Sequence, residues 1–93
     1  MGATIEVKKS GDEVFDVCVI EGKSESSHAV TLKNADYVRL TDGKVTPEEL
    51  IRRSFEFLLK HESKESILAR FDLTVISRYF PQYECEIKIR LAR

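Results

Sequence analysis

The chain has 93 residues, of which 42% are hydrophobic and 33% charged, and its net charge is −1. That length suits one domain, residues 1–93, with its own core. The charge balance excludes a global field that would draw the chain to nucleic acid or an anionic membrane.

Ala3 to Lys9 alternates, with Ala3, Ile5 and Val7 on one face and Thr4, Glu6 and Lys8 on the other. Period two of this kind predicts a half-buried strand. Ser10-Gly11-Asp12-Glu13 supplies a turn, and Val14 to Ile20 is apolar at every position except Asp16. The second run reads as a strand covered on both faces, and the two together predict a hairpin. Glu21 to Ser27, EGKSESS, is polar and expected to be the most mobile internal segment. A third strand is expected over His28 to Leu32, with His28, Val30 and Leu32 facing one way.

Asn34 is placed to cap a short helix, Ala35 to Leu40, that Gly43 stops. The strongest local signal follows in VTPEELIRRSFEFLLK, residues 45–60. Thr46 suits the cap, Pro47 the first helical position, and Glu49 completes a Thr-x-x-Glu capping box. Val45 and Leu50 are spaced as a hydrophobic staple around that start. Leu50, Ile51, Phe55 and Leu58 share a face, flanked by Phe57 and Leu59. Glu48–Arg52, Glu49–Arg53 and Glu56–Lys60 are i, i+4 pairs that support the helix from its solvent side.

Ser63 is placed to cap a further short helix through Ile67, Leu68 and Phe71, and Asp72 another over Leu73 to Phe80, ended by Pro81. The tail alternates strictly: Tyr83, Cys85, Ile87, Ile89 and Leu91 against Glu84, Glu86, Lys88 and Arg90. It is expected to be a strand, with a helix over residues 82–92 as the runner-up, because several of these residues favour helices.

The expected class is therefore α+β. An N-terminal antiparallel three-stranded sheet packs against a long helix and one to three short helices, and a C-terminal strand is expected to join it. The long helix should cross the inner face of the sheet, with Ile51, Phe55 and Leu58 against Ile5, Val7, Val17 and Val19.

Chemistry is harder to find. The only histidines, His28 and His61, show no ligand spacing with Cys18 or Cys85, and no C-x-x-C or H-E-x-x-H occurs. No metal or cofactor is expected. Both cysteines read as small reduced core residues, since a secreted scaffold would carry more of them at tighter spacing. Ser24, Ser26 and Ser27 lie near His28, but no G-x-S-x-G elbow exists, and loop serines are the plainer account. Glycines 2, 11, 22 and 43 form no phosphate-binding cluster. No catalytic residue is assigned.

Late in the chain Arg70, Arg78, Lys88, Arg90 and Arg93 interleave with aromatics that include Tyr79 and Tyr83. Cations and rings so mixed can hold single-stranded nucleic acid through phosphate pairing and base stacking. Glu84 and Glu86 share the strand face with Lys88 and Arg90, so an ordinary core with a solvated surface is the stronger account.

The N-terminal MGATIEVKK lacks an apolar leader core, and no segment reaches membrane-spanning length, so a cytoplasmic protein without a membrane partner is expected. The function favoured is a small non-catalytic interaction or regulatory domain. Its partner would be another protein or a second copy, pairing through an exposed strand edge such as that of the tail. A nucleic-acid-binding accessory protein is the first rival. An enzyme with a site assembled from scattered residues is the second.

Three segments, TPEELIRRSFEFLL, KESIL and FDLTVISRYFPQYE, carry one resemblance. Through them the stretch from Val45 to Ile87, nearly half the chain, resembles a group of small uncharacterised bacterial proteins. That group has no assigned activity, so the resemblance implies no catalytic residue.

Overall fold

The computed structural model describes residues 3–91. Three antiparallel strands open the chain: β1 (Thr4–Gly11), β2 (Val14–Glu21) and β3 (Ser24–Thr31). β1 and β2 pair from Thr4↔Ile20 to Lys9↔Phe15, and the register shifts before Gly11↔Val14. Glu13 closes this turn at φ +60°, in the left-handed region. Its carbonyl accepts from Leu32 N–H at 2.8 Å and its carboxylate from Asn34 N–H at 2.7 Å, which hold it there.

Residues 24–27, expected in a mobile loop, are instead the first half of β3, which pairs with β2 from Glu21↔Ser24 onward. The turn is only Gly22-Lys23, with Gly22 at φ +61°. Glycine takes that conformation without strain, so the hairpin closes in two residues and the backbone ladder recruits the polar serines.

Two helices follow, α1 (Asn34–Thr41) and α2 (Pro47–His61). Lys33, and not Asn34, holds the cap position of α1, without a side-chain bond. At α2 the Thr46 hydroxyl accepts from Glu49 N–H at 3.1 Å, as its sequence predicts. The Glu49 carboxylate turns away from the cap to Arg53 at 2.6 Å and Arg52 at 3.0 Å. Arg52 also meets Glu56 at 3.3 Å, so its partners are Glu49 and Glu56 where the spacing predicted Glu48.

Leu50, Ile51, Phe55, Phe57 and Leu58 of α2 are buried. They share one core with Phe15, Val17 and Val19 of β2 and Val30 of β3, with Ile5 and Val7 packed half-buried against it. A 3₁₀ turn (Lys64–Ser66) then leads to a three-residue strand, β4 (Arg70–Asp72), where a helix through Phe71 was expected. β4 runs parallel to β3, and the sheet order is β1-β2-β3-β4. Two further bonds secure the junction: Ala29 N–H to Ala69 C=O at 2.7 Å and Leu73 N–H to Thr31 C=O at 2.9 Å. Thr74, and not Asp72, holds the cap position of the short helix α3 (Val75–Tyr79), which starts two residues later than expected; Asp72 accepts from the Thr74 N–H at 2.9 Å in a local turn ahead of it.

The tail is a helix, α4 (Tyr83–Leu91), and not the strand its alternation suggested. The odd positions contain a second spacing, because Tyr83 and Ile87 are also i and i+4. Both are fully buried, while Cys85 and Ile89 on the same alternation are exposed. Glu84 and Glu86 lie in the first turn and Lys88 and Arg90 in the last, the arrangement that a helix dipole favours. Helices α1 and α2 supply the surface on which α4 docks.

Inside that contact the Tyr83 hydroxyl lies 2.6 Å from Ser54 Oγ, and Ser54 donates to Leu50 C=O at 2.8 Å. At its rim Arg39 of α1 reaches Glu84 at 2.7 Å, and Ser77 donates to the same carboxylate at 3.2 Å. The Arg39 guanidinium, chiefly by this hydrogen bond, holds the Glu84 carboxyl below the usual carboxylate range. A lowered folded pKa contributes stability above the unfolded value of ~4.3, and the contribution is lost as pH falls through the folded one. Arg39→Ala is therefore expected to flatten the stability–pH curve below about pH 4.5, by at most ~1 kcal/mol for so exposed a pair. Urea titrations of both proteins across the acid range check this.

Candidate functional site

The inner face of β3 carries Ser26, His28 and Val30 in alternate positions. His28 is buried beneath Phe55, with ring centroids 5.4 Å apart. Its Nδ1 lies 2.8 Å from Leu68 C=O and its Nε2 lies 2.8 Å from Ser26 Oγ. A carbonyl only accepts, so Nδ1 carries a proton; in the neutral ring Nε2 then accepts from the serine hydroxyl.

A serine beside an oriented imidazole is the geometry of an activated nucleophile. Here the orienting group is a backbone carbonyl, which cannot balance an imidazolium as a carboxylate would. The pair braces β3 against the segment that follows α2. Ser26, expected in a loop, is a strand residue, and i and i+2 of a strand share a face.

That segment is tied down at further points. Lys64 is buried, and its ammonium meets Glu65 and, at 3.6 Å, Glu21 at the end of β2. With His28 holding Leu68 and Ala29 holding Ala69, residues 64–69 form a fixed wall.

Between this wall, the end of α2 and helix α3 lies an apolar pocket of about 220 Å³. Leu58, Ile67, Phe71, Val75, Ile76 and Phe80 line it, with Glu62 and Ser66 as its polar members. Leu68 and Tyr79 stand at its mouth, 48% and 68% exposed. Small-molecule and cofactor sites enclose roughly 300–1,000 Å³, so this volume fits an inserted side chain better than a whole ligand. His61 stacks nearby on Phe57 and Phe80, at 4.7 and 5.1 Å, and finishes α2 with a structural contact.

A broader, shallow depression crosses the outer face of the sheet, among Glu6, Lys8, Asp16, Cys18 and Arg70. Its volume is about 570 Å³, but it is open to solvent and its charges are of both signs. Cys18 is half-buried there and Cys85 is exposed on α4; both are free thiols, and neither is the core residue expected. Burial, followed by the carboxylates of Glu25 and Glu6, pushes the Cys18 thiol up. That disfavours the thiolate that a nucleophile needs.

The residues singled out for nucleic-acid contact are spread over three elements. Arg70 is exposed on β4, Arg78 and Tyr79 on α3, and Lys88 on α4, where Arg90 is half-buried. Tyr83 is fully buried under α2, so no base can stack on it. Arg93 lies outside the described residues. Among the described residues no three His, Cys, Asp or Glu side chains gather to hold a metal, and every buried side-chain polar atom has a hydrogen-bond partner. No helix among them is long and apolar enough to cross a membrane.

Compared with protein-family models, curated proteins and solved structures, the chain matches none.

Proposed function

We propose that the protein is a small non-catalytic interaction domain that seats one large apolar side chain of a partner protein in the pocket between α2, β4 and α3. The carrying observation is the apolar cavity with Leu68 and Tyr79 exposed at its rim. A buried anchor ringed by partly exposed apolar contacts is how most interface energy is concentrated. Glu62 in the lining favours a partner segment with a basic residue beside its apolar anchor. Two free cysteines fit a reducing compartment, and we place the domain in the cytoplasm. The rival role on nucleic acid retains Arg78 and Tyr79, exposed side by side, but has no second stacking ring in Tyr83.

The test is selection of a random peptide library on the immobilised protein, with Leu68→Asp and Tyr79→Ala proteins as counter-screens. The expected result is enrichment of peptides with a single Leu, Ile, Met or Phe next to Lys or Arg. Their affinity should fall about tenfold or more in either variant, a change of ~1.4 kcal/mol. Peptides that bind both variants as well as the parent would contradict the reading. So would a salt-steep complex with single-stranded oligonucleotides in the absence of any peptide.

A further inference from the structure

Among the described residues β1 has a strand neighbour on one side only, and no backbone hydrogen bond reaches its other edge. Which residues point outward follows from the registers. The two-residue turn makes Glu21↔Ser24 a hydrogen-bonded pair, so Val19, Val17 and Phe15 also bond toward β3. Ile20, Cys18 and Asp16 therefore bond toward β1, where their partners are Thr4, Glu6 and Lys8. The backbone N–H and C=O groups of Ile5, Val7 and Lys9 face the free edge.

We propose that two copies of this chain join their sheets edge to edge through β1, antiparallel, about a two-fold axis at Val7. In that register Val7 faces Val7 of the second copy and Ile5 faces Lys9, each pair supplied with outward-pointing backbone groups. Glu6 then lies opposite Lys8 of the second copy, and Lys8 opposite its Glu6, in the non-hydrogen-bonded positions where side chains approach closest.

Charge complementarity favours a second copy in this register; an axis at residue 5 would set Glu6 against Thr4 and lose both ion pairs. A shift of the axis to residue 6 sets Glu6 against Glu6, and a shift to residue 8 sets Lys8 against Lys8; both are repulsive. Ile5 and Val7 remain only half-buried in the single chain, so a second copy completes a burial that α2 leaves unfinished. The inference is independent of the pocket, because β4 lies at the opposite edge of the sheet and remains free in each copy.

Sedimentation velocity of the full chain over a wide concentration range, with charge reversals, tests it. Glu6→Lys and Lys8→Glu should each weaken self-association about tenfold or more. Mixed together, these two variants should pair with each other to within about threefold of the parent, since every contact across the axis is again opposite in sign. Val7→Pro, an edge substitution that removes an outward N–H, should abolish both kinds of pair and leave the monomer folded by circular dichroism. A parent chain that is monomeric at ~1 mM overturns the proposal. So does a dimer indifferent to both reversals, or a variant mixture that fails to associate.

Discussion

Tyr83→Ala is expected to destabilise the fold by about 3–5 kcal/mol, the range for deleting a fully buried aromatic side chain. For a domain of this size that lowers the melting temperature by ~12 °C or more. The ring is enclosed with Phe57, centroids 5.4 Å apart, and its hydroxyl reaches Ser54 in the contact between α2 and α4. Tyr83→Phe keeps the ring and loses one buried hydrogen bond, at about 1 kcal/mol. If residues 83–91 were an edge strand with its alternate side chains half-exposed, the Ala substitution would cost well under half as much. Urea denaturation with unchanged slope for all three proteins is the check.

The same residue sets an alkaline limit. Burial pushes the Tyr83 phenol well above its ordinary value, with the Ser54 hydrogen bond acting the other way. The folded state keeps a proton that the unfolded chain releases near pH ~10. Stability is therefore intact below that pH and declines as pH rises past it, and Tyr83→Phe removes this component.

His28→Ala carries the second large effect, about 2–4 kcal/mol. It opens a cavity beneath Phe55 and leaves Leu68 C=O and Ser26 Oγ without the imidazole that links them. Ser26→Ala removes only the outer bond of the brace and is expected to cost about 1 kcal/mol. Because the imidazole fixes Leu68 at the mouth of the pocket, His28→Ala should also weaken binding of any selected peptide. Denaturant midpoints, together with peptide affinities measured at a temperature where the variant is folded, check both effects. A variant as stable as the parent contradicts the structural role of the histidine.

How far these features can be read from sequence depends on how local their causes are. The first hairpin and the start of α2 rest on neighbouring residues: alternation over Ala3–Lys9, turn residues over Ser10–Glu13, and the Thr46-Pro47 cap. Each was legible. The tail was ambiguous because alternate apolar residues satisfy period two and also contain i, i+4 pairs. Helices α1 and α2, distant in sequence, select the helix. β4 is three residues long and pairs in parallel with a strand some forty residues earlier, as in Ala29↔Arg70, so no local pattern could announce it.

The pocket was invisible for the same reason, since its wall depends on His28 holding Leu68 across that distance. Its residues did register as apolar, but they read as ordinary core. Only the fold shows that Leu68 and Tyr79 stay outside. Ser26 and His28, by contrast, were within reach: strand periodicity alone places them side by side.

Chemical-shift mapping locates the surface that a peptide occupies. The methyl groups of isotopically labelled protein would be followed as a selected apolar–basic peptide is added. Saturable shifts are expected, confined to Leu58, Ile67, Leu68, Val75 and Ile76, the methyl-bearing residues of the pocket. Shifts that avoid these residues and cluster instead on the outer sheet face or around Lys88 would contradict docking in the pocket.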